Sequence, residues 1–202
     1  MSNPIVSLGC ALNGLLDKFK ALDFTAPLLL RLYLAPIFIL AGANKIENAE
    51  YLGPYFESLG IPAPELMVYL AAYTEFLGGI ALLLGLAVRW AAIPLMFTMI
   101  VAAATAHWDN GWHALPETEL TVPWEWRTDL IEEGNIRKER AKDILRENSN
   151  YDWITSAGSI TVLKNGIEFA ATYFVMLLAL FFMGAGRWFS VDYWIKNAFC
   201  KE

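Results

Sequence analysis

Apolar residues run almost without interruption through Ala26–Ala43, Glu65–Leu86, Trp90–Ala106 and Val162–Gly184. About 17–25 such residues wound as a helix cross the roughly 30 Å hydrocarbon core of a bilayer, so the pattern predicts four membrane-spanning helices. Ahead of them Ile5, Leu8, Leu12, Leu15, Leu16, Phe19 and Leu22 recur at helical spacing, opposite Asn13, Asp17, Lys18 and Lys20. That pattern predicts an amphipathic helix lying in the membrane interface. Between the third and fourth runs the polarity inverts, and 107–161 reads as one hydrophilic insert. Within it Asn135–Asn148 is expected to form a short charged helix with a thin apolar stripe of Ile136, Ile144 and Leu145. Pro116, Pro123 and Gly134 break what precedes it. The expectation is an all-α fold: an integral membrane four-helix bundle, one domain over residues 1–202, with an N-terminal amphipathic helix and a partly helical insert between spans three and four.

Composition agrees. The chain is 56% hydrophobic and only 18% charged, with mean hydropathy +0.40, which is too apolar for an ordinary soluble domain of this size. The insert holds eleven acidic and six basic residues, so it accounts for most of the net charge of −6. The partner expected from this is the lipid bilayer, with no nucleic acid. Basic residues near the span ends set orientation. Lys18, Lys20, Arg89, Arg187, Lys196 and Lys201 flank one side, against Lys45, Arg146 and Lys164 on the other. Both termini are therefore expected in the cytoplasm, with the insert outside. Every tryptophan falls at or beyond a span end, where ring and N–H are both accommodated. No basic residue precedes Lys18, so the N-terminus does not read as a secretory signal. Cys10 and Cys200 form no C-x-x-C pair, which argues against thiol relay chemistry.

Each long apolar run nevertheless carries an ionisable residue: Arg31, Glu75, His107 and Glu168. A charge at bilayer depth costs about 2.5–3.5 kcal/mol on insertion scales, so such groups face the bundle interior and pair, or they work. At 1.5 Å per residue, Glu75 lies about 15 Å deep, near the midplane. Arg31 lies about 6 Å from the opposite edge, which makes an Arg31–Glu75 bridge between neighbouring spans sterically reasonable. Glu168 lies about 9 Å below the outer edge, under Asn44, Lys45 and His107. Ala71, Ala72, Gly78 and Gly79 surround Glu75 at helical spacing. Small residues mark close helix approach, so Glu75 is expected to point inward, with Tyr69 or Tyr73 as hydroxyl partners. Two readings stand. One is a structural ion pair, with His107 as an interfacial histidine and Lys45 facing a helix dipole. The other is a site exchanging protons with a quinone or substrate. His107 could also serve copper, though two histidines are few and the methionines read more simply as packing.

The segments LLLRLYLAPIFILAGANK (28–45), FESLGIPAPEL (56–66) and TEFLGGIALLLGLAVRW (74–90), with the histidine closing span three, resemble the DoxX family of small four-span membrane proteins. AHWDNGW (106–112), NSNYDW (148–153), KNGIEFAATYFVMLLALFF (164–182) and GRWFSVDYW (186–194) resemble its HvfX branch more narrowly. The family likeness places polar positions on Arg31, Lys45, Glu75 and His107, and the branch adds Asn165 and Glu168. It implies a bacterial inner-membrane protein working with copper-binding modified-peptide maturation or with a quinone-linked oxidoreductase.

The candidate reacting groups are thus Glu75, Arg31, His107, Glu168 and Lys45. Tyr73, Asn44 and Asn165 would stand beside a cofactor, and His107 would be the metal ligand. Quinone is the favoured cofactor, with copper behind it. The leading function is a membrane redox subunit or maturation partner. The alternatives are a scaffold recruiting a partner through the Trp-rich insert, and a small-solute, proton or metal-ion carrier, which would need homo-oligomerisation to provide alternating access.

Overall fold

The computed structural model describes residues 13–14, 17–115 and 119–199, whose regular structure is helical with no strand among them. A 3-10 turn (Lys18–Leu22) leads into α1 (Thr25–Glu47), followed by α2 (Ala49–Ser58), α3 (Pro64–Leu84) and α4 (Val88–Ala102). α4 continues through a π-helical turn (Ala103–His107) and a 3-10 turn (Trp108–Asn110). The insert carries α5 (Asp129–Asn148) and α6 (Tyr151–Ile154), and the chain closes with α7 (Glu168–Met183) and α8 (Val191–Phe199). Three stretches, Phe19–Glu47, Pro64–Leu84 and Val88–Asn110, are long and apolar enough to cross a membrane. With α7 they form a four-helix bundle in which α1 packs on α3, α3 on α4, α4 on α7 and α7 back on α1.

Glycine lets α1 and α3 approach closely. A Cβ on Gly42 would sit 2.5 Å from the Phe76 amide nitrogen, and one on Gly79 would meet Ile39 at 2.8 Å. Because 42 meets 76 while 79 meets 39, the two helices run antiparallel. Leu34 and Phe38 of α1, Leu82 of α3, Leu95 of α4, and Leu177 and Leu180 of α7 fill the centre. Leu29, Leu40, Leu77, Phe97, Val175 and Phe182 point outward and are exposed, as a surface solvated by lipid requires.

Along these elements the structure departs from the sequence expectation in three places. The fourth apolar run is helical only from Glu168 to Met183, sixteen residues. Its first part is non-helical backbone lying against 111–114. The amides of Lys164 and Asn165 donate to the Ala114 carbonyl, Gly166 to His113, Ile167 to Gly111 and Glu168 to Trp112, at 2.9–3.0 Å. Non-helical backbone is stable near apolar surroundings when its polar groups are paired inside protein. Asn165, at φ 62, makes a left-handed step within this segment, three residues before α7. α5 begins at Asp129 and runs through Gly134 rather than starting after it. Asp129 and Glu132 in its first turn suit the helix dipole, and Glu133 pairs with Arg137 across the glycine, which together offset the roughly 1 kcal/mol that one glycine costs. α2 was not expected. Most of the predicted amphipathic helix over 5–22 lies outside the described residues, as do Cys10 and Cys200.

Candidate functional site

The polar residues of the spans separate into three groups. The deepest is an acid–base pair between α1 and α3. Lys45 Nζ donates to Glu75 Oε2 at 2.6 Å, with the Glu75 side chain 6% and that of Lys45 25% exposed. Side chains on a helix lean toward its N-terminus. In antiparallel neighbours, Lys45 therefore leans into the bundle while Glu75 leans out to meet it. The small residues at Ala72, Gly78 and Gly79 are buried around the carboxylate, as expected from their spacing.

Arg31 does not bridge to Glu75. It lies at the other end of the α1–α3 contact, where its guanidinium donates to the carbonyls of Leu82 (2.7 Å), Leu83 (3.0 Å), Ala185 (2.6 Å) and Phe189 (3.1 Å). The carbonyls at the C-terminus of a helix have no partner within it and carry the negative end of the dipole. The planar five-donor guanidinium satisfies two of them on α3 and ties in the loop after α7. Gly85, at φ 68, caps α3 beside it, and a Cβ there would lie 2.6 Å from Arg31 Nη2. Asp192 completes this end by accepting from the amides of Ala87 (2.6 Å) and Val88 (3.1 Å), the start of α4. Arg31 is thus a clasp between helix ends.

The third group caps the opposite end of the bundle. The π-helical turn brings His107 Nδ1 within 2.9 Å of the Asn165 carbonyl oxygen, to which Asn110 also donates at 3.2 Å. A carbonyl only accepts, so Nδ1 carries the hydrogen in this bond. Glu168, in the first turn of α7, accepts from the Ala114 amide at 2.9 Å. Behind them lies an ion pair that sequence reasoning missed. Glu125 Oε2 accepts from Lys164 Nζ at 2.7 Å, with side chains 0% and 5% exposed. Glu125 also accepts from the amides of Trp112, His113 and Arg127 at 2.8–3.2 Å. Burial pushes its carboxyl up, but Lys164 and the three amides outweigh that and hold it at about 2. No local pattern distinguishes Glu125 among the insert's eleven acids. The one hint is its place between Trp124 and Trp126.

Of the predicted site residues, the structure therefore joins Glu75 with Lys45, gathers His107, Asn165 and Glu168 at one end of the bundle, and keeps Arg31 at the other. Among the described residues no hydrogen bond links Glu75 to Arg31, His107 or Glu168. Asn44 is exposed and accepts from Asn48 at 2.8 Å. Tyr69 and Tyr73 stack on each other at 6.4 Å on the exposed face of α3, away from the carboxylate. No group of three or more His, Cys, Asp or Glu residues converges for a metal among the described residues, so His107 would be a lone ligand.

The DoxX family model matches residues 26–108, the stretch that carries Arg31, Lys45, Glu75 and His107. A Mycobacterium tuberculosis protein described as an uncharacterized membrane protein is 38% identical over 74 residues, 36% of this chain and 45% of that protein. CatD of Bacillus subtilis, whose name carries a provisional oxidoreductase label, is 35% identical over 78 residues, 39% of this chain and 57% of its own. The chain thus spans about half the length of the curated relatives it matches. No solved structure matches it.

Proposed function

We propose that this multi-pass membrane protein, which carries a DoxX domain over residues 26–108, is the membrane subunit of a quinone-linked oxidoreductase. Its proton-exchanging group is the Lys45–Glu75 pair. The observation that carries the reading is that pair itself, buried between two spanning helices and joined by one hydrogen bond. The oxidoreductase label of CatD supports it. An ammonium has three donors, and Glu75 takes one, so the partly exposed Lys45 keeps donors for a quinone carbonyl oxygen. A quinone bound there would supply two-electron redox chemistry. Lys45 would orient its oxygen, and Glu75 would hold or deliver the proton that accompanies electron transfer. Copper fits the described residues poorly, so the maturation context implied by the HvfX likeness assigns copper to a partner's substrate. The six basic residues flanking the end where α1 begins favour that end in the cytoplasm of a bacterial inner membrane.

Equilibrium binding of a short-chain quinone to the purified protein in nanodiscs tests this. Binding that weakens about tenfold or more on Glu75→Gln, a loss of about 1.4 kcal/mol, is the expected result. An absence of quinone binding in the wild type, with the pathway indifferent to the substitution, overturns it.

A scaffold reading is favoured by a different observation. The outer layer is a built structure locked by Glu125–Lys164, and it displays Trp108 and Trp124 on its surface. Excising Asp129–Asn148 behind a short linker spares that lock. If the redox reading holds, quinone binding survives the excision; loss of partner capture with quinone binding absent throughout favours the scaffold.

A further inference from the structure

At the end of the bundle where α1 begins, a cleft of about 880 Å³ opens between the start of α4, the loop after α7 and α8. Both carboxylates in its wall are already engaged. Asp23 pairs with Arg187 at 2.6 Å, and Asp192 accepts the two amides that begin α4. The other two cations in the wall are not neutralised. Arg89 makes one hydrogen bond, to the Phe182 carbonyl at 3.1 Å, and among the described residues no carboxylate pairs with Arg89 or Lys196. These two charges come from different elements, the second residue of α4 and the sixth of α8, and face one space.

Beside them the wall is apolar: Trp90, Met183 and Ile195 are 77%, 44% and 43% exposed. α8 extends this surface. Val191, Trp194, Ile195 and Phe199 are exposed at near-helical spacing along it. Asp192 anchors the helix to the first turn of a spanning helix, which holds it at the membrane boundary. A cationic pocket bordered by apolar surface at that boundary matches an amphiphile with an anionic head. A guanidinium and an ammonium together suit phosphate oxygens, the first through a planar fork and the second as a point charge.

We propose that this cleft binds the phosphodiester head of an anionic phospholipid on Arg89 and Lys196, with its acyl chains lying over Trp90, Met183 and Ile195. The assignment is independent of any reaction at Lys45–Glu75. The attraction is between opposite charges at the membrane surface, so occupancy should fall with added salt.

The test uses the full chain in nanodiscs of equal phosphatidylglycerol and phosphatidylcholine, released into the gas phase for native mass spectrometry of retained lipid. The wild type is expected to retain phosphatidylglycerol over phosphatidylcholine by about tenfold, in line with two basic groups at a membrane surface. Arg89→Gln with Lys196→Gln should bring the ratio close to one. Lys196→Gln alone, which touches no backbone contact of α4, should give an intermediate value. Lys138→Gln with Arg140→Gln removes the same charge from α5 beyond the other end of the bundle, and should leave the preference intact. Equal retention of both lipids by the wild type, or equal losses in the two double variants, overturns the proposal. Displacement of the lipid by millimolar inorganic phosphate also overturns it and reduces the cleft to a general anion site.

Discussion

Lys45–Glu75 and Lys164–Glu125 are both buried lysine–glutamate pairs at nearly the same distance, 2.6 and 2.7 Å, and they are built for different work. Glu125 accepts from its lysine and from three backbone amides, so every change of its charge is felt by the turn that holds 111–114 against 164–168. Among the described residues Glu75 has one side-chain partner, and that partner is a quarter exposed. Desolvating an ion pair costs more than the Coulomb attraction returns unless further hydrogen bonds complete the geometry. Glu125 has those bonds and is committed to structure. Glu75 lacks them, which is why the proposed proton exchange is placed there.

The largest effect should come from breaking the committed pair. Glu125→Ala leaves Lys164 buried without a counter-charge and frees three amides, a cost of about 3–5 kcal/mol. Thermal unfolding and protease cleavage within the insert would both register it. If cleavage is unchanged, the insert does not depend on the lock. Arg31→Met comes next. It strands carbonyls at the end of α3 and after α7 and should cost about 3 kcal/mol, measured as unfolding in mild detergent. A loss as large from Arg31→Lys would show that fork geometry matters as well as charge.

Acid separates the pairs further. The Glu125 carboxyl is held at about 2 against an ordinary value of 4.5. A depressed pKa means stability that is full above the ordinary value and is lost as pH falls from about 4.5 toward 2. Protease sensitivity of the insert should rise over that window in the wild type, and Glu125→Gln should flatten the dependence. Glu75→Gln should then cost no more than about 1 kcal/mol, because Lys45 can turn its ammonium toward water, while quinone binding falls. A destabilisation as large as that of Glu125→Ala would make Glu75 structural and erase the contrast. The smallest expected change is Asn165→Gly, which suits φ 62 and should be near neutral. Asn165→Val at the same position should cost about 1–2 kcal/mol, read from the same unfolding curves.

Much of this was legible in the residue pattern, and the limits are specific. The spans of α1, α3 and α4 follow from apolar length, and the small residues around Glu75 marked the face that packs. The fourth run misled because hydropathy does not distinguish helix from non-helical backbone whose amides are paired elsewhere, and only the 111–114 segment, some fifty residues earlier, supplies the partner for 164–168. Arg31 and Glu75 were correctly read as buried, yet they were matched to each other by sign. Carbonyls at a helix end accept hydrogen bonds as well as a carboxylate does, and they leave no trace in the identity of the side chain. Glu125 was hidden for the same reason, since three of its four partners are main-chain amides.

What the chain by itself determined was which segments leave water and which charged residues must go with them, because transfer free energy adds up residue by residue along a helix. Which charge meets which was decided only when α1 and α3 packed antiparallel and the segment before α7 paired with 111–114, just beyond the end of α4. A partner is chosen by register, by side-chain lean and by the supply of free backbone groups, and all three exist only once helices lie side by side.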